Sequence, residues 1–335
     1  MDQKKPVTQK TISDELNISV MAVSRALRDD PRISDATKKK VKALAGKLYY
    51  RPNSIAKSLR MNETKTLGLV ISDSSFSVFS DVIDGVEIAA RRLGYSIILC
   101  HARSSIEQEI EAVNTLVGKR IDGLLLAAST LTAQEHKAFL NSLGVPYLFL
   151  MRRCEYEDGS YVITDNTNSI IQMVDYLIKT GSRKIHFLNL TKSIISAHDR
   201  EAGYRIALER NGIKFDPGII YHIKPEIGAG YEQMTQIINS GESIETVFCG
   251  CDMIAVGAME SIYEHGLRIP HDIRIAAHDD IELAAYLRVP LTTINAKREK
   301  TGELGVELLI KKIKSDQDMH IRRTLNSDMV LRAST

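Results

Sequence analysis

The sequence predicts an all-α helix-turn-helix with a hinge helix at its N-terminus, followed by an α/β body of two doubly wound parallel-sheet subdomains. Three observations carry this. Apolar residues in the first 48 positions fall at helical spacings. From Thr66 onward, short apolar runs alternate with amphipathic helical stretches, the rhythm of parallel sheets with helices on both faces. The charge divides near the same place: residues 1–62 hold 14 Lys/Arg against 6 Asp/Glu, and the remainder holds 30 against 36. A basic module on a mildly acidic body is the footprint of a nucleic-acid binder.

The first module is built from capped helices. Thr8 is placed to cap "QKTISDEL", Ser19 to cap "VMAVSRAL" and Ser34 to cap "DATKKKVKALAGKL", because an N-cap hydroxyl accepts from the free amides of the first turn. Ile12, Leu16, Ile18, Val23, Leu27, Val41, Leu44 and Leu48 can meet in one small core. Asn17 lies where a tight turn is needed. Pro52 is expected to stop the third helix, since the residue before proline avoids the α region. Asn53 then caps a helix of about two turns over 54–60. A helix that short does not persist alone in water, so it must dock or fold on a partner.

In the second helix Val23 and Leu27 face the core. Val20, Met21, Ser24 and Arg25 then point outward, starting at the helix N-terminus. This suits a recognition helix, whose first turns reach base edges in the major groove. Arg25 is placed to give a bidentate pair to guanine, and Val20 and Met21 to touch thymine methyls. Thr8, Ser19 and Ser24 are placed to hold phosphates.

In the body, "LGLVI", "YSIILC", "DGLLLAA" and "PYLFL" read as strands, and after "YVITDN" the pattern repeats with "KIHFLNL", "GIIYHI", "TVFCG" and "IRIAAHD". Ligands in such folds collect at the carboxyl ends of the strands. No apolar run is long enough to span a bilayer. No apolar segment follows the N-terminal lysines, so a cytoplasmic protein is expected. Cys100, Cys154, Cys249 and Cys251 read as free thiols of a reducing compartment, without a completed metal set. No cofactor is expected, and the motifs of P-loop, serine-hydrolase and zinc-protease catalysis are missing, so no catalytic residue is assigned.

The stretch "VTQKTISDELNISVMAVSRALRDDPRISDATKKKVKALAGKLYYRPNSIAKSLR" resembles the DNA-binding region of the LacI/GalR family of bacterial repressors. The resemblance continues through "DGLLLA", "DNTNS", "DREAGY", "CDMIAVGAM", "GLRIPHDI", "HDDIELA", "PLTTIN" and "LRAST", and so covers essentially the whole chain. It implies a periplasmic-binding-protein-like body. It also implies a division into residues 1–48 as the helix-turn-helix, 49–62 as the hinge and 63–335 as the effector-binding and dimerisation domain. Val20, Met21 and Arg25 match the family's base-reading positions. Asn53, Ala56 and Leu59 match a hinge helix that orders on DNA, where paired Leu59 side chains wedge into the minor groove and kink it.

In the cleft, the resemblance implies that Arg200 binds effector oxygens and Asp279 binds hydroxyl or amine groups, with Val78 and Phe79 as walls and Arg152, Ser196 and Cys251 nearby. Several positions depart from the pattern: Ala22 replaces a threonine, Tyr49 stands where glycine is common, Cys251 replaces Asn or Ser, and Met151 replaces Asp or Asn. Arg152, Lys192, His198, Lys224 and Arg200 make the expected cleft rim basic, which favours an anionic effector such as a sugar acid or sugar phosphate.

The function these features predict is a homodimeric, effector-switched repressor of carbohydrate metabolism genes, bound to double-stranded operator DNA. A solute-binding protein of the same body fold is the competing reading, and residues 1–62 argue against it. A phosphoprotein corepressor, used by some relatives, is open but not indicated.

Overall fold

The computed structural model describes residues 7–51, 63–72, 78–102, 105–127, 131–315 and 319–335. The chain divides into two compact units, Met1–Thr64 and Lys65–Thr335.

In the first unit α1 (Gln9–Leu16), α2 (Val20–Leu27) and α3 (Asp35–Lys47) follow the expected caps: the side chains of Thr8, Ser19 and Ser34 accept from the amides of Thr11, Ala22 and Thr37. Asn17 takes the left-handed conformation (φ 49°) between α1 and α2. Ile12, Val23, Ala26, Val41 and Ala45 form the buried centre, with Leu16, Ile18, Leu27, Leu44 and Leu48 packed around it. Helix α3 does not run on to Pro52. It ends at Lys47, and Tyr49 turns left-handed (φ 51°). The Tyr50 amide then donates to Ala45 O (2.8 Å) and the Tyr49 amide to Gly46 O (3.1 Å). This double closure satisfies the last carbonyls and stops the helix without proline. Pro52 and the hinge residues Asn53, Ala56 and Leu59 lie outside the described residues.

The second unit opens with β1 (Thr66–Ile71), α4 (Val78–Arg92), β2 (Ser96–His101), α5 (Ile106–Gly118), β3 (Gly123–Ala127), α6 (Lys137–Ser142), β4 (Tyr147–Leu150) and β5 (Tyr161–Thr164). It continues with α7 (Asn166–Lys179), β6 (Ile185–Leu190), α8 (Ile195–Arg210), β7 (Ile220–Ile223), α9 (Ile227–Asn239), β8 (Thr246–Cys249), α10 (Asp252–Glu264), β9 (Arg274–Ala276) and β10 (Thr293–Asn295). It closes with α11 (Arg298–Ile313), β11 (Arg322–Leu325) and β12 (Asp328–Val330). One parallel sheet has the order β11-β5-β4-β3-β1-β2 and the other β7-β6-β8-β9, while β10 and β12 pair antiparallel. Strands β1, β3 and β6 are buried almost throughout because helices cover both faces of each sheet.

The strands read from the apolar runs are all present. The returns of the chain were not legible. It crosses between the subdomains over residues 164–166, 295–298 and 325–328, so α11 and β11 complete the first subdomain and β12 the second. Strand β11 is "RRTL", largely exposed at a sheet edge, and carries no apolar signature. Helices α4 and α11 approach through glycine. A Cβ on Gly302 would stand 2.3 Å from Val82 O, and one on Gly85 1.9 Å from Glu299 O.

Candidate functional site

The outward face of α2 carries the predicted reading residues. Val20 is 40% and Met21 61% exposed, high values for apolar side chains that fill no core. Arg25 is half-buried, with Nε 4.0 Å from Asp30. Asp30 is itself gripped by Arg32 through two side-chain bonds of 2.9 and 2.7 Å, which holds its carboxyl well below the usual range. Arg32 therefore neutralises the acid beside Arg25. Ser19 is occupied in capping α2 (3.1 Å to the Ala22 amide) and Thr8 in a reciprocal cap with Thr11. Ser24 is half-buried, and its carbonyl accepts from Arg28 Nε (3.1 Å).

In the body, three of the predicted effector residues converge at the junction of the two subdomains. Arg200, on α8, is 6% exposed. Its Nε donates to Asn166 Oδ1 (3.2 Å), NH1 donates to Gly250 O, and NH2 lies 3.9 Å from Asp279 Oδ1. Burial draws its pKa down, with the charge on Asp279 opposing. Cys251 caps α10 beside this cluster, and burial pushes its thiol far up, so it stays a neutral sulfhydryl. Asp279 also accepts from His278 Nδ1 (2.9 Å) and from Arg298, whose NH1 donates to Asp279 O (2.6 Å) and whose NH2 donates to Oδ1. Burial works against the charge on Asp279, and Arg298, His278 and Arg200 outweigh it, holding its pKa down.

Below this pair, Asp252 accepts from the Ile281 amide (2.8 Å) and the Thr293 hydroxyl (2.5 Å), and burial lifts its pKa to about 7. His278 is fully buried, which lowers its pKa to about 4. Asp252 ties α10 to the segment carrying Asp279, which fixes that residue's backbone.

Arg152 and Ser196 form a second group, lining a small crevice with Met151, Arg153, Asn166 and Asp199. Burial lowers the pKa of Arg152, and Glu109 of its own subdomain opposes that. Across this crevice Arg153 makes an ion pair with Asp199 (2.5 Å), so a cation of the first subdomain holds an acid of the second. Asn166 belongs to both groups. Phe79 is 4% exposed and sits in the apolar core under α4 with Leu67, Leu69 and Val82. The side chain of Val78 lies outside the described residues. Of the expected rim cations, Lys192, His198 and Lys224 are exposed on the second subdomain.

Sequence reasoning missed Arg298, Asn166, His278 and Asp252. Arg298 opens "REKTGEL", which reads as a solvated helix start, and nothing local marks its burial. Asn166 stood in the quoted "DNTNS", but without the fold nothing placed it under Arg200.

Known proteins match this arrangement at both ends. Residues 8–53 match the model of bacterial regulatory proteins of the lacI family, and residues 174–335 that of a periplasmic binding protein-like domain. The HTH-type transcriptional repressor PurR of Vibrio atlanticus (strain LGP32) is 32% identical over 93% of either chain. The ribose operon repressor of Escherichia coli (strain K12) is 31% identical over 91% of this chain and 93% of its own. The crystal structure of the lac repressor dimer bound to operator and the anti-inducer ONPF superposes with a TM-score of 0.89 at 27% identity, covering 98% of this chain and 99% of that one.

Fold and site together define a class: transcriptional regulators that join a helix-turn-helix unit to a two-lobed body. Within that class, the chain belongs to the lacI family of bacterial regulatory proteins.

Proposed function

We propose that the chain is a repressor whose hold on operator DNA is switched by a small sugar-type effector taken between the subdomains of its body. The observation that carries this reading is the buried Arg200–Asp279 pair at the junction of the two lobes, in a chain whose α2 exposes Val20 and Met21 beside Arg25. A paired guanidinium and carboxylate can donate to and accept from the hydroxyls of one ligand. The similarity to the ribose operon repressor makes a pentose the first ligand class to try.

Residues 1–48 serve as the reading unit, 49–62 as the hinge and 63–335 as the effector-binding and dimerisation body. Val20, Met21 and Arg25 read bases, while Thr8, Ser19 and Ser24 contact phosphates. Asn53, Ala56 and Leu59 enter the minor groove. Two copies pair, as the lac repressor does, and set two α2 helices on half-sites a helical turn or a multiple of it apart. Leu99, Ile227, Leu283 and Tyr286 are exposed large apolar side chains of the body, suited to that pairing. The protein acts in the cytoplasm, where its DNA is, and performs no catalysis.

Effector can bias the equilibrium between lobe arrangements only by its differential affinity for them. Selection from a randomised duplex pool tests the reading. A near-palindromic operator should emerge, with affinity falling steeply in a log–log salt plot. Enrichment of no duplex would sink it.

A further inference from the structure

The turn that closes α2 carries a carboxylate back to the arginine of its last turn. Asp29 takes the left-handed conformation (φ 57°), its amide donates to Ala26 O (3.2 Å), and the Asp30 amide donates to Arg25 O (3.1 Å). This paired closure, which most helices make through glycine, sets Asp30 beside Arg25. Lys42 of α3 holds the Asp29 carboxylate (2.5 Å) and ties the turn to the bundle. Pro31 restricts the backbone of Asp30, and the Ile33 amide donates to Asp30 O (3.1 Å). A second tight turn therefore follows, with aspartate and proline at its favoured positions.

The Asp30 carboxylate is shared unequally. Arg32 takes both oxygens: its amide and Nε donate to Oδ1 (3.0 and 2.9 Å), and its NH2 donates to Oδ2 (2.7 Å). Oδ2 also stands 4.0 Å from Arg25 Nε, beyond a hydrogen bond but within strong Coulomb range. NH1 and NH2 of Arg25 have no acceptor among the described residues. The Asp30 side chain is 14% exposed, so its place is built rather than incidental. For general DNA affinity this acid is a liability, because it repels phosphates and offsets nearby arginines. Its geometry gives it another use. Immobilising a long side chain at an interface loses roughly two- to tenfold in affinity, and a side chain held in advance avoids that loss.

We propose that Asp30 is the positioning residue for base recognition by Arg25, and that Arg32 holds it in that role. This rests on the reading of α2 as the recognition helix. The carboxylate draws the Nε side of Arg25 toward the turn and leaves NH1 and NH2 as an end-on fork for guanine O6 and N7. It also disfavours the swing of Arg25 onto a phosphate. Arg32, by engaging both oxygens, keeps Asp30 from closing a fork of its own on Arg25. The arrangement gives up general affinity for selectivity at one base pair.

Selection of a randomised duplex pool on the full-length protein gives the base preference at each position, and the position flattened by Arg25→Ala is the one Arg25 reads. Asp30→Asn keeps an oxygen for the Arg32 amide and removes the charge. It should lower discrimination at that position about two- to tenfold and leave the other positions as they were. On a short duplex of scrambled sequence the same variant should bind more tightly, with a log–log salt slope steeper by about 0.9 for each phosphate the freed arginines reach. Asp30→Glu, which keeps the charge, should restore part of the discrimination. Arg32→Gln should move the two readouts together: Asp30 then closes on Arg25, so discrimination at the same position and affinity for the scrambled duplex both fall.

Thermal unfolding of the first unit shows that each variant is folded; if Asp30→Asn is not, Arg32→Gln decides at the same position. A turn that merely braced the fold would weaken all positions alike, and that result overturns the proposal, as does scrambled-duplex affinity that fails to rise in Asp30→Asn. If the unmodified protein enriches no duplex, or Arg25→Ala flattens no position, the reading of α2 falls and the positioning role with it. If a half-site emerges and Asp30→Asn leaves the Arg25 position untouched, the recognition helix stands and the positioning role alone falls.

Discussion

Single side chains set both the reading face and the electrostatics of the body. Arg25→Ala should relax preference at one base pair per half-site, costing about 1–3 kcal/mol of discrimination and leaving nonspecific binding intact, as anisotropy with single-substituted operators will show. Tyr49 is 89% exposed and left-handed, so it carries backbone strain and little packing. Tyr49→Gly should raise the stability of the first unit by about 0.5–1 kcal/mol, read from that unit's transition in the full-length protein.

His278 and Asp252 oppose each other in pH. The folded pKa of His278 is lowered to about 4, below the ordinary 6.5, so the unfolded chain binds more protons in that window and this group adds stability as pH rises. That of Asp252 is raised from 3.8 to about 7, so its contribution falls as pH rises over roughly the same range. His278→Gln removes the first effect. Relative to the unmodified protein, the variant should lose stability progressively from pH 4 to 6.5, by a difference on the order of 3 kcal/mol, measured by urea unfolding. The sequence displayed Arg200 and Asp279 through the motifs around them. It hid Arg298 and His278, because their roles arise from burial between segments far apart in the chain.

Among elements, the caps were the most legible feature, since a hydroxyl followed by an apolar rhythm is a local signal. The end of α3 was legible to within a residue but its cause was not, because the left-handed Tyr49 does work expected of glycine or of Pro52. The apolar strands were readable and the polar β11 was not. The contact of α4 with α11 depends on residues with no side chain at the crossing. Gly302→Ala would force a methyl against Val82 O and separate the helices. A loss of about 1–3 kcal/mol is expected in chemical denaturation, with the first unit unaffected.

At the scale of the whole molecule, the proposed hinge couples effector to operator. Leu59→Ala should weaken specific operator binding, because the added contacts that bent DNA permits are lost, and leave effector affinity unchanged. Paired anisotropy and calorimetry measure the two, and equal operator affinity would remove the wedge from the scheme. The split between the first unit and the body was visible from the charge shift together with the change of apolar rhythm at Thr66. The interlacing of the two lobes was not, because periodicity reports what each segment is and says nothing of which sheet it joins.

That interlacing governs the order of events during translation. The helix-turn-helix draws its core from Ile12 to Tyr50, a stretch that precedes the whole body in the chain. Neither lobe of the body can close until α11, β11 and β12 have emerged, and the Ser334 hydroxyl, donating to Ile275 O (2.6 Å), docks later than β12. A nascent chain therefore completes its helix-turn-helix well before its body can sense a ligand.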